Sequence, residues 1–356
     1  MNRRFVNLLV NKLSGRRSTF SLHRIDTASL FSPTTSSKLA DPAQIKKAAA
    51  SDLTPARLPP AAVSFNPRNG WMDFMARNDD IIAVDQESRT LRYDGQVGAL
   101  RVMSPILNPR PTSISLTVGD DLYVLARELG LARQVHHFQV LSLEDSLWYP
   151  LEPLPFYNQD IIEDLSYNKY KLGLDQLDPF EIGAYTAISD SEIWISTVGV
   201  GTYSFNTDTC SWSKIGDWAL PFCGSAHYVP EYGLWFGFSD EHLCAADLQQ
   251  QPPGLPLLKF PLLEVLEESP LSEAWTLTAT SLFPLGSGKI CIARIFGRTN
   301  GEKLQPSDYM HQIVESFAVL AGVEVVKHAV TGSLHIIKHK AMCYSAGPGK
   351  NIVKPL

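Results

Sequence analysis

The sequence predicts an all-β protein folded as a β-propeller, and three observations lead there. Short runs rich in β-branched and aromatic residues alternate with turn clusters along most of the chain, the pattern of strands in a small-sheet architecture. Matching runs recur at a constant distance: Trp194 to Trp235 is 235 − 194 = 41 residues, and Ile81 to Leu122 is 122 − 81 = 41. A repeat of that length, made of strands and turns, marks propeller blades, each a small antiparallel sheet that needs neighbours to cover its faces. The 356 residues suit one ring, because six blades at roughly 50 residues each take roughly 300.

Taken in order, the chain opens with two strands, Phe5 to Val10 and Phe20 to Asp26, joined by a basic loop from Lys12 to Arg17. Ser32 to Ala62 is rich in Ser, Pro, Thr and Ala and reads as a surface loop or partly disordered insert, with a short helix over Asp41 to Ser51. The next unit spans Asp73 to Pro105: Ile81 to Asp85 is a strand, Gln86 to Ser88 a turn and Thr90 to Asp94 the return, with Val97 to Met103 beginning another strand. A further unit uses Ser113 to Val118, Asp121 to Leu125, His137 to Leu141 and Leu147 to Tyr149. Residues 149–182 form a rim insertion with Pro150, Pro153, Pro155, several acids and Tyr157, Tyr167 and Tyr170.

The most regular stretch follows. Glu192 to Ser196 is a strand, Gly199 and Gly201 interrupt it, and Thr202 to Phe205 alternates so that Tyr203 and Phe205 share a face. Asn206 to Thr209 turns, because Asn and Asp side chains bond nearby backbone, and Cys210 to Ile215 returns with Trp212 buried. The second unit repeats this with Ala226 to Val229, Leu234 to Phe238 and His242 to Leu248. Each unit thus reads as a strand triplet. Residues 252–270 are a second rim insertion, helical at Leu262 to Glu267. Ser281 to Leu285, Lys289 to Arg294, Glu315 to Gly322, Val323 to His328 and Ser333 to Lys340 end the ring as strands. Five units plus the N-terminal strands give six blades in one domain over residues 1–356, five being the alternative, with the ring closed by the N-terminal strands.

Composition narrows the function classes. A hydrophobic fraction of 44% and a charged fraction of 19% suit a globular core. The net charge of −6 argues against nucleic acid, and no run reaches membrane-helix length. The five cysteines, at 210, 223, 244, 291 and 343, are odd in number and form no Cys-x-x-Cys pair, which speaks against zinc and redox motifs. With no Asn-x-Ser/Thr site, the setting reads as reducing, hence cytoplasmic or nuclear. The Arg-rich, acid-free first 25 residues offer an organelle transit peptide as the alternative to folded strands.

The run Gly199-Val200-Gly201-Thr202-Tyr203, with Phe205, Thr209 and Trp212, is similar to a kelch blade, without that motif's Gly-Gly pair. Larger segments carry a second resemblance. Arg3 to Leu8, Ser21 to Asp26, Leu30-Phe31, Glu192 to Thr197, Gly199 to Tyr203, Trp212 to Pro221, Tyr228 to Glu231, Leu234 to Gly237 and Glu315 to Leu320 resemble a large family of uncharacterised grass proteins, a plant domain of unknown function. The resemblance covers nearly the whole chain. It implies a plant origin and a kelch-like propeller similar to the propeller part of plant F-box proteins. It makes the Arg-rich start part of the family's body, and it brings no activity and no catalytic residues. No F-box-like helical segment precedes the strands, so a ligase-adaptor role is not expected.

Several constellations weigh as candidate sites, each against a plainer reading. His335 and His339 would share a face on a helix and bind metal, but in a strand they stand ~13 Å apart. Cys223, Ser225 and His227 gather a thiol, a hydroxyl and an imidazole, yet a nucleophile needs a base in reach and an orienting third group, so a turn between blades is preferred. Gly199 and Gly201 lack the third glycine and the helix of a dinucleotide fingerprint. Asp160, Glu163 and Asp164 could serve glycoside hydrolysis and read as a solvated loop; the basic loop Lys12 to Arg17 reads the same way. The sequence therefore predicts no catalytic, cofactor or metal residue and no cofactor. The expected function is a monomeric, non-enzymatic scaffold that binds a protein through its rim loops, whose Tyr and Trp residues suit interface anchors. An enzyme or carbohydrate-binding module using the channel is the alternative.

Overall fold

Regular backbone is almost all strand in this computed structural model: among the described residues there are twenty-five β-strands, one four-residue 3-10 turn and no α-helix. Described are residues 3–14, 17–31, 53–111, 113–127, 136–155, 181–197, 199–240, 242–249, 258–261, 275–299, 313–328 and 332–356. The chain divides into two compact units, one of residues 1–66 with 260–356 and one of residues 67–259.

The chain begins as an antiparallel hairpin, Phe5–Ser14 (β1) and Arg17–Asp26 (β2), paired in register from Phe5↔Asp26 to Ser14↔Arg17. The Arg-rich start is thus folded strand. Asp26 then caps the 3-10 turn Thr27–Leu30, its carboxylate accepting the Ala28 amide, as a short acceptor side chain does at a helical N-terminus. Part of the expected 32–62 loop is strand instead: Thr54–Ala56 (β3) and Ala61–Phe65 (β4). Pro59 and Pro60 separate them, and β4 pairs with β2 through Phe20↔Phe65, burying Phe65. The helix expected over 41–51 lies outside the described residues.

The unit of residues 67–259 is a series of four-stranded meanders. Met72–Arg77 (β5), Asp80–Asp85 (β6), Thr90–Asp94 (β7) and Ala99–Met103 (β8) form the first. Ile114–Val118 (β9), Asp121–Leu125 (β10), Phe138–Leu141 (β11) and Trp148–Pro150 (β12) form the second. Ile182–Ser189 (β13), Glu192–Thr197 (β14), Gly201–Asn206 (β15) and Ser211–Gly216 (β16) form the third. Cys223–Val229 (β17), Leu234–Ser239 (β18) and His242–Ala246 (β19) follow, with Leu258–Pro261 (β20) in the same sheet. The expected triplets are therefore quartets. The first strands of the second and fourth meanders, β9 and β17, lie where Ser113 to Val118 and Ala226 to Val229 were expected, whereas β5, β13 and β20 were not expected as strands. β13 carries a polar residue with a structural partner: Thr186 is buried, its hydroxyl donating 2.8 Å to the Ala226 carbonyl of β17.

First strands of successive meanders adjoin. β5 lies beside β9 and β9 beside β13, and β13 pairs parallel with β17 through Ala184↔Gly224 and Tyr185↔Ser225. Apolar side chains fill the space between consecutive meanders. Met75, Ile82 and Val84 of the first meet Leu122, Val124, Leu141 and Trp148 of the second. Tyr123, Phe138 and Val140 of the second meet Ile193, Ile195 and Phe205 of the third. Ala184 and Trp194 of the third meet Ala226 and Trp235 of the fourth. The 41-residue repeat is real in this sense: Ile81 and Leu122 both lie in second strands, as do Trp194 and Trp235. Phe138 and Phe205 pack edge to face at 4.7 Å between centroids, a favoured aromatic geometry. Trp212 packs on both but is only half-buried, its indole N–H donating 3.0 Å to the Glu152 carbonyl.

In the other unit, Thr276–Gly286 (β21), Lys289–Thr299 (β22), Ile313–Lys327 (β23) and Leu334–Ser345 (β24) form an antiparallel meander, extended by β3 pairing parallel with β24. Lys350–Pro355 (β25) pairs antiparallel with β1, Leu8↔Pro355 to Lys12↔Lys350. The strands expected over Glu315 to Gly322 and Val323 to His328 are one strand, β23. Gly322 does not break it; a Cβ there would stand 2.8 Å from the Leu30 carbonyl oxygen, so the glycine answers a close approach of the 3-10 turn. Val6, Leu8, Ile25, Leu30, Cys291, Ala293 and Leu320 belong to this unit's largest core cluster.

Candidate functional site

Strand direction sorts the connections of each meander to its two ends. First-to-second and third-to-fourth connections share one end, because antiparallel strands alternate; second-to-third connections and those leading to the next meander share the other. The first-to-second turns are short, at 78–79, 119–120 and 190–191. In the first three meanders the longer connections leave the opposite end: 104–113 from β8 to β9, 126–137 from β10 to β11 and 151–181 from β12 to β13; the 247–257 connection from β19 to β20, third to fourth, leaves the end of the short turns. The 300–312 connection from β22 to β23 leaves the corresponding end of its own meander.

At that end of residues 67–259 lies a buried polar group that sequence reading did not single out. Pro109 and Pro111 bracket Arg110; without N–H groups and with φ fixed, they keep 108–111 from joining a sheet. The segment instead meets the start of β11. The Gln139 amide donates 3.1 Å to the Asn108 carbonyl, and Arg110 Nη1 lies 3.3 Å from His137 Nδ1. An arginine only donates, so Nδ1 accepts and the imidazole carries its proton on Nε2. His137, Gln139 and Leu141 share one face of β11 by alternation. Leu141 sits in the apolar seam to the first meander, so the polar pair crowns that seam. Both are buried, at 5% and 2% exposure, and Gln139 Oε1 accepts no hydrogen bond among the described residues. Nearby, Asp73 of β5 accepts the Ser113 amide at 2.9 Å, and Ser113 Oγ donates 3.4 Å to the Arg110 carbonyl.

Burial, and then the Arg110 charge, push the His137 imidazole down from its ordinary 6.5 to about 4. It is therefore neutral at pH 7, and too weak a base for proton transfer there. What the group presents is positional: a guanidinium, an imidazole N–H and an amide held at fixed geometry. At the same end Arg127, just past β10, pairs with Glu181, just before β13, at 3.7 Å. Tyr185 of β13 hydrogen-bonds Ser225 and Arg127, and burial raises its phenol.

The sequence candidates fare differently. Ser225 stands beside Tyr185 in the β13–β17 pairing, while a register shift separates Cys223 from His227 on β17. His335 stacks near His328 and contacts Ser333, whereas His339 sits 3.0 Å from Glu324 and against Phe31. The two have separate partners on one strand, and among the described residues no group of three or more His, Cys, Asp or Glu could hold a metal. Gly201 has φ 109, and a Cβ there would stand 2.3 Å from the Gly216 carbonyl oxygen, so this glycine serves the β15–β16 crossing. Lys12 lies in β1, Arg17 opens β2, and residues 15–16 lie outside the described residues. So do Asp160, Glu163 and Asp164, and most of the 149–182 and 252–270 insertions. All five cysteines are free thiols; Cys291 is fully buried, which pushes it up to about 12. Among the described residues, no helix is long and apolar enough to cross a membrane.

No curated protein matches the chain. A family does, over residues 3–344, and the span takes in nearly all of both compact units and every strand from β1 to β23. On that coverage the chain is a member of the family described as protein of unknown function DUF1668.

Proposed function

We propose that the chain is a six-bladed, kelch-like β-propeller acting as a non-enzymatic scaffold, and that a protein partner binds the end carrying the long connections. Supporting the architecture, successive meanders adjoin through their first strands within residues 67–259 and are welded by apolar seams. Between them, the meander β21–β24 and the sheet β25-β1-β2-β4 supply the remaining two blades, the last built from both ends of the chain. Propellers bind ligands through loops on a rigid scaffold. The observation that carries the binding reading is the gathering of the longer connections, 104–113, 126–137 and 151–181, at one end of their meanders. The insertion at 149–182 brings Tyr157, Tyr167 and Tyr170, residue types that anchor interfaces.

Two forms of the chain test this: the intact protein, and one whose residues 157–179 are replaced by a short Gly-Ser linker. Each is used to capture partners at native expression, read by cross-linking and mass spectrometry. The expected result is a defined protein, cross-linked to 104–113, 126–137 or 151–181, that the shortened form loses while keeping its circular dichroism. Capture unaffected by the replacement, or none at all, overturns the reading; specific retention on a glycan array would favour the carbohydrate-binding alternative.

A further inference from the structure

The fourth strand of a meander has one edge with no strand beyond it, and such edges are normally blunted. Three of the four antiparallel meanders whose fourth strand has a described surface show how. β12 is three residues long and ends at Pro150. β16 pairs with β15 across a register shift and carries Lys214, held 2.6 Å from Asp217. The edge of β24 is covered by β3. β8 has none of these devices. Its five residues pair with β7 without a shift, Thr90↔Met103 through Asp94↔Ala99, and it is the last strand of its sheet. It contains no Pro and no Lys. Leu100 and Val102 are 47% and 77% exposed, and Val97 and Leu107 beside it are exposed as well.

Charge says what the edge accepts. Arg101, exposed at the centre of β8, stands directly across from Arg92. Like charges in that position repel. Arg92 is neutralised by Asp80, 2.8 Å from its Nη2, and the hairpin carboxylate Asp94, whose Oδ1 accepts the Gln96 and Val97 amides at 3.0 Å, feels the charges of both Arg92 and Arg101. Arg101 makes no ion pair within 4.0 Å among the described residues. We propose that β8 is an edge for strand addition, receiving an extended segment of another protein that carries one acidic residue between apolar ones. The incoming strand places a Glu or Asp opposite Arg101, with apolar residues on either side opposite Leu100 and Val102. Main-chain hydrogen bonds supply affinity and the alternating side chains supply selectivity. A second copy of this chain is the poorer occupant, because antiparallel pairing of two β8 strands centred on Arg101 sets that cation against itself. The proposal does not depend on the loop-end reading, although β8 leads directly into the 104–113 connection that holds Leu107.

The test uses the full chain and two labelled peptides, Lys-Thr-Val-Glu-Val-Thr-Lys and the same peptide with Lys in place of Glu, read by fluorescence anisotropy. The Glu peptide is expected to bind with a Kd on the order of 10 to 100 µM. Arg101→Glu should weaken it roughly fivefold and reverse the preference between the peptides, since a cross-strand ion pair is exchanged for a repulsion of similar size. Val102→Lys should abolish binding while the circular dichroism spectrum stays that of the parent. Four results overturn the proposal: no binding of the Glu peptide below about 1 mM, equal binding of both peptides by the parent chain, full binding by a folded Val102→Lys variant, or a parent dimer in sedimentation that Val102→Lys dissociates.

Discussion

Lowering the pH should weaken the protein through His137, and the size of the loss can be worked out. The unfolded chain takes up its proton at the ordinary 6.5, whereas the folded protein resists it down to about 4. Folding is thus favoured by the neutral imidazole. The contribution is complete above pH 6.5 and is lost as pH falls through the window to 4, where the unfolded state holds more protons than the folded one. At about 1.4 kcal/mol per pH unit the whole window is worth roughly 3 kcal/mol. Between pH 7.5 and pH 5 the loss from this one group is about 2 kcal/mol. Urea unfolding followed by tryptophan fluorescence at a series of pH values measures it. The control is His137→Gln, whose amide oxygen can take the Arg110 hydrogen bond without titrating. The expected outcome is a parent curve that falls about 2 kcal/mol further than the variant's over that interval. Parallel curves, or a parent that gains stability on acidification, would refute the claim that burial and the Arg110 charge hold this ring neutral.

Two other outcomes follow from packing. Phe205→Ala, which empties a fully buried site between the second and third meanders, should cost about 3 to 5 kcal/mol; a double-mutant cycle with Phe138→Leu should show coupling of about 0.5 to 1.5 kcal/mol, and additive effects would deny the aromatic contact. Gly322→Ala drives a methyl against the Leu30 carbonyl and should cost about 1 to 3 kcal/mol by overpacking, read in the same denaturation experiment.

Strands with alternating apolar and polar residues were the legible part of this fold. Ile81 to Asp85, an apolar run ended by a turn, and Thr90 to Asp94 and Thr202 to Phe205 lie where they were expected. Two of the first strands, Met72–Arg77 and Ile182–Ser189, were harder, because they bury Asp73 and Thr186 among apolar neighbours and blur the pattern. Their partners, the Ser113 amide and the Ala226 carbonyl, stand forty residues away, beyond any local window. Gly322 misled for a related reason. A glycine in a strand signals either a break or a close approach, and only the 3-10 turn at Leu30 decides which. The Arg110, His137 and Gln139 group was legible only in part: two prolines around an arginine mark an irregular segment, but nothing in them says which strand it will touch.

The pairing of β1 with β25 sets a timetable for biosynthesis. Asn7 and Leu356 exchange two backbone hydrogen bonds, each 2.8 Å, so an early residue waits for one made nearly 350 residues later. At about 5 to 20 residues per second on the ribosome, that wait is roughly 17 to 70 seconds. Through it the β1–β2 hairpin has one margin unfilled and must be shielded. Strand β25 is the latch, and a nascent chain stalled before residue 350 leaves this edge of β1 unpaired.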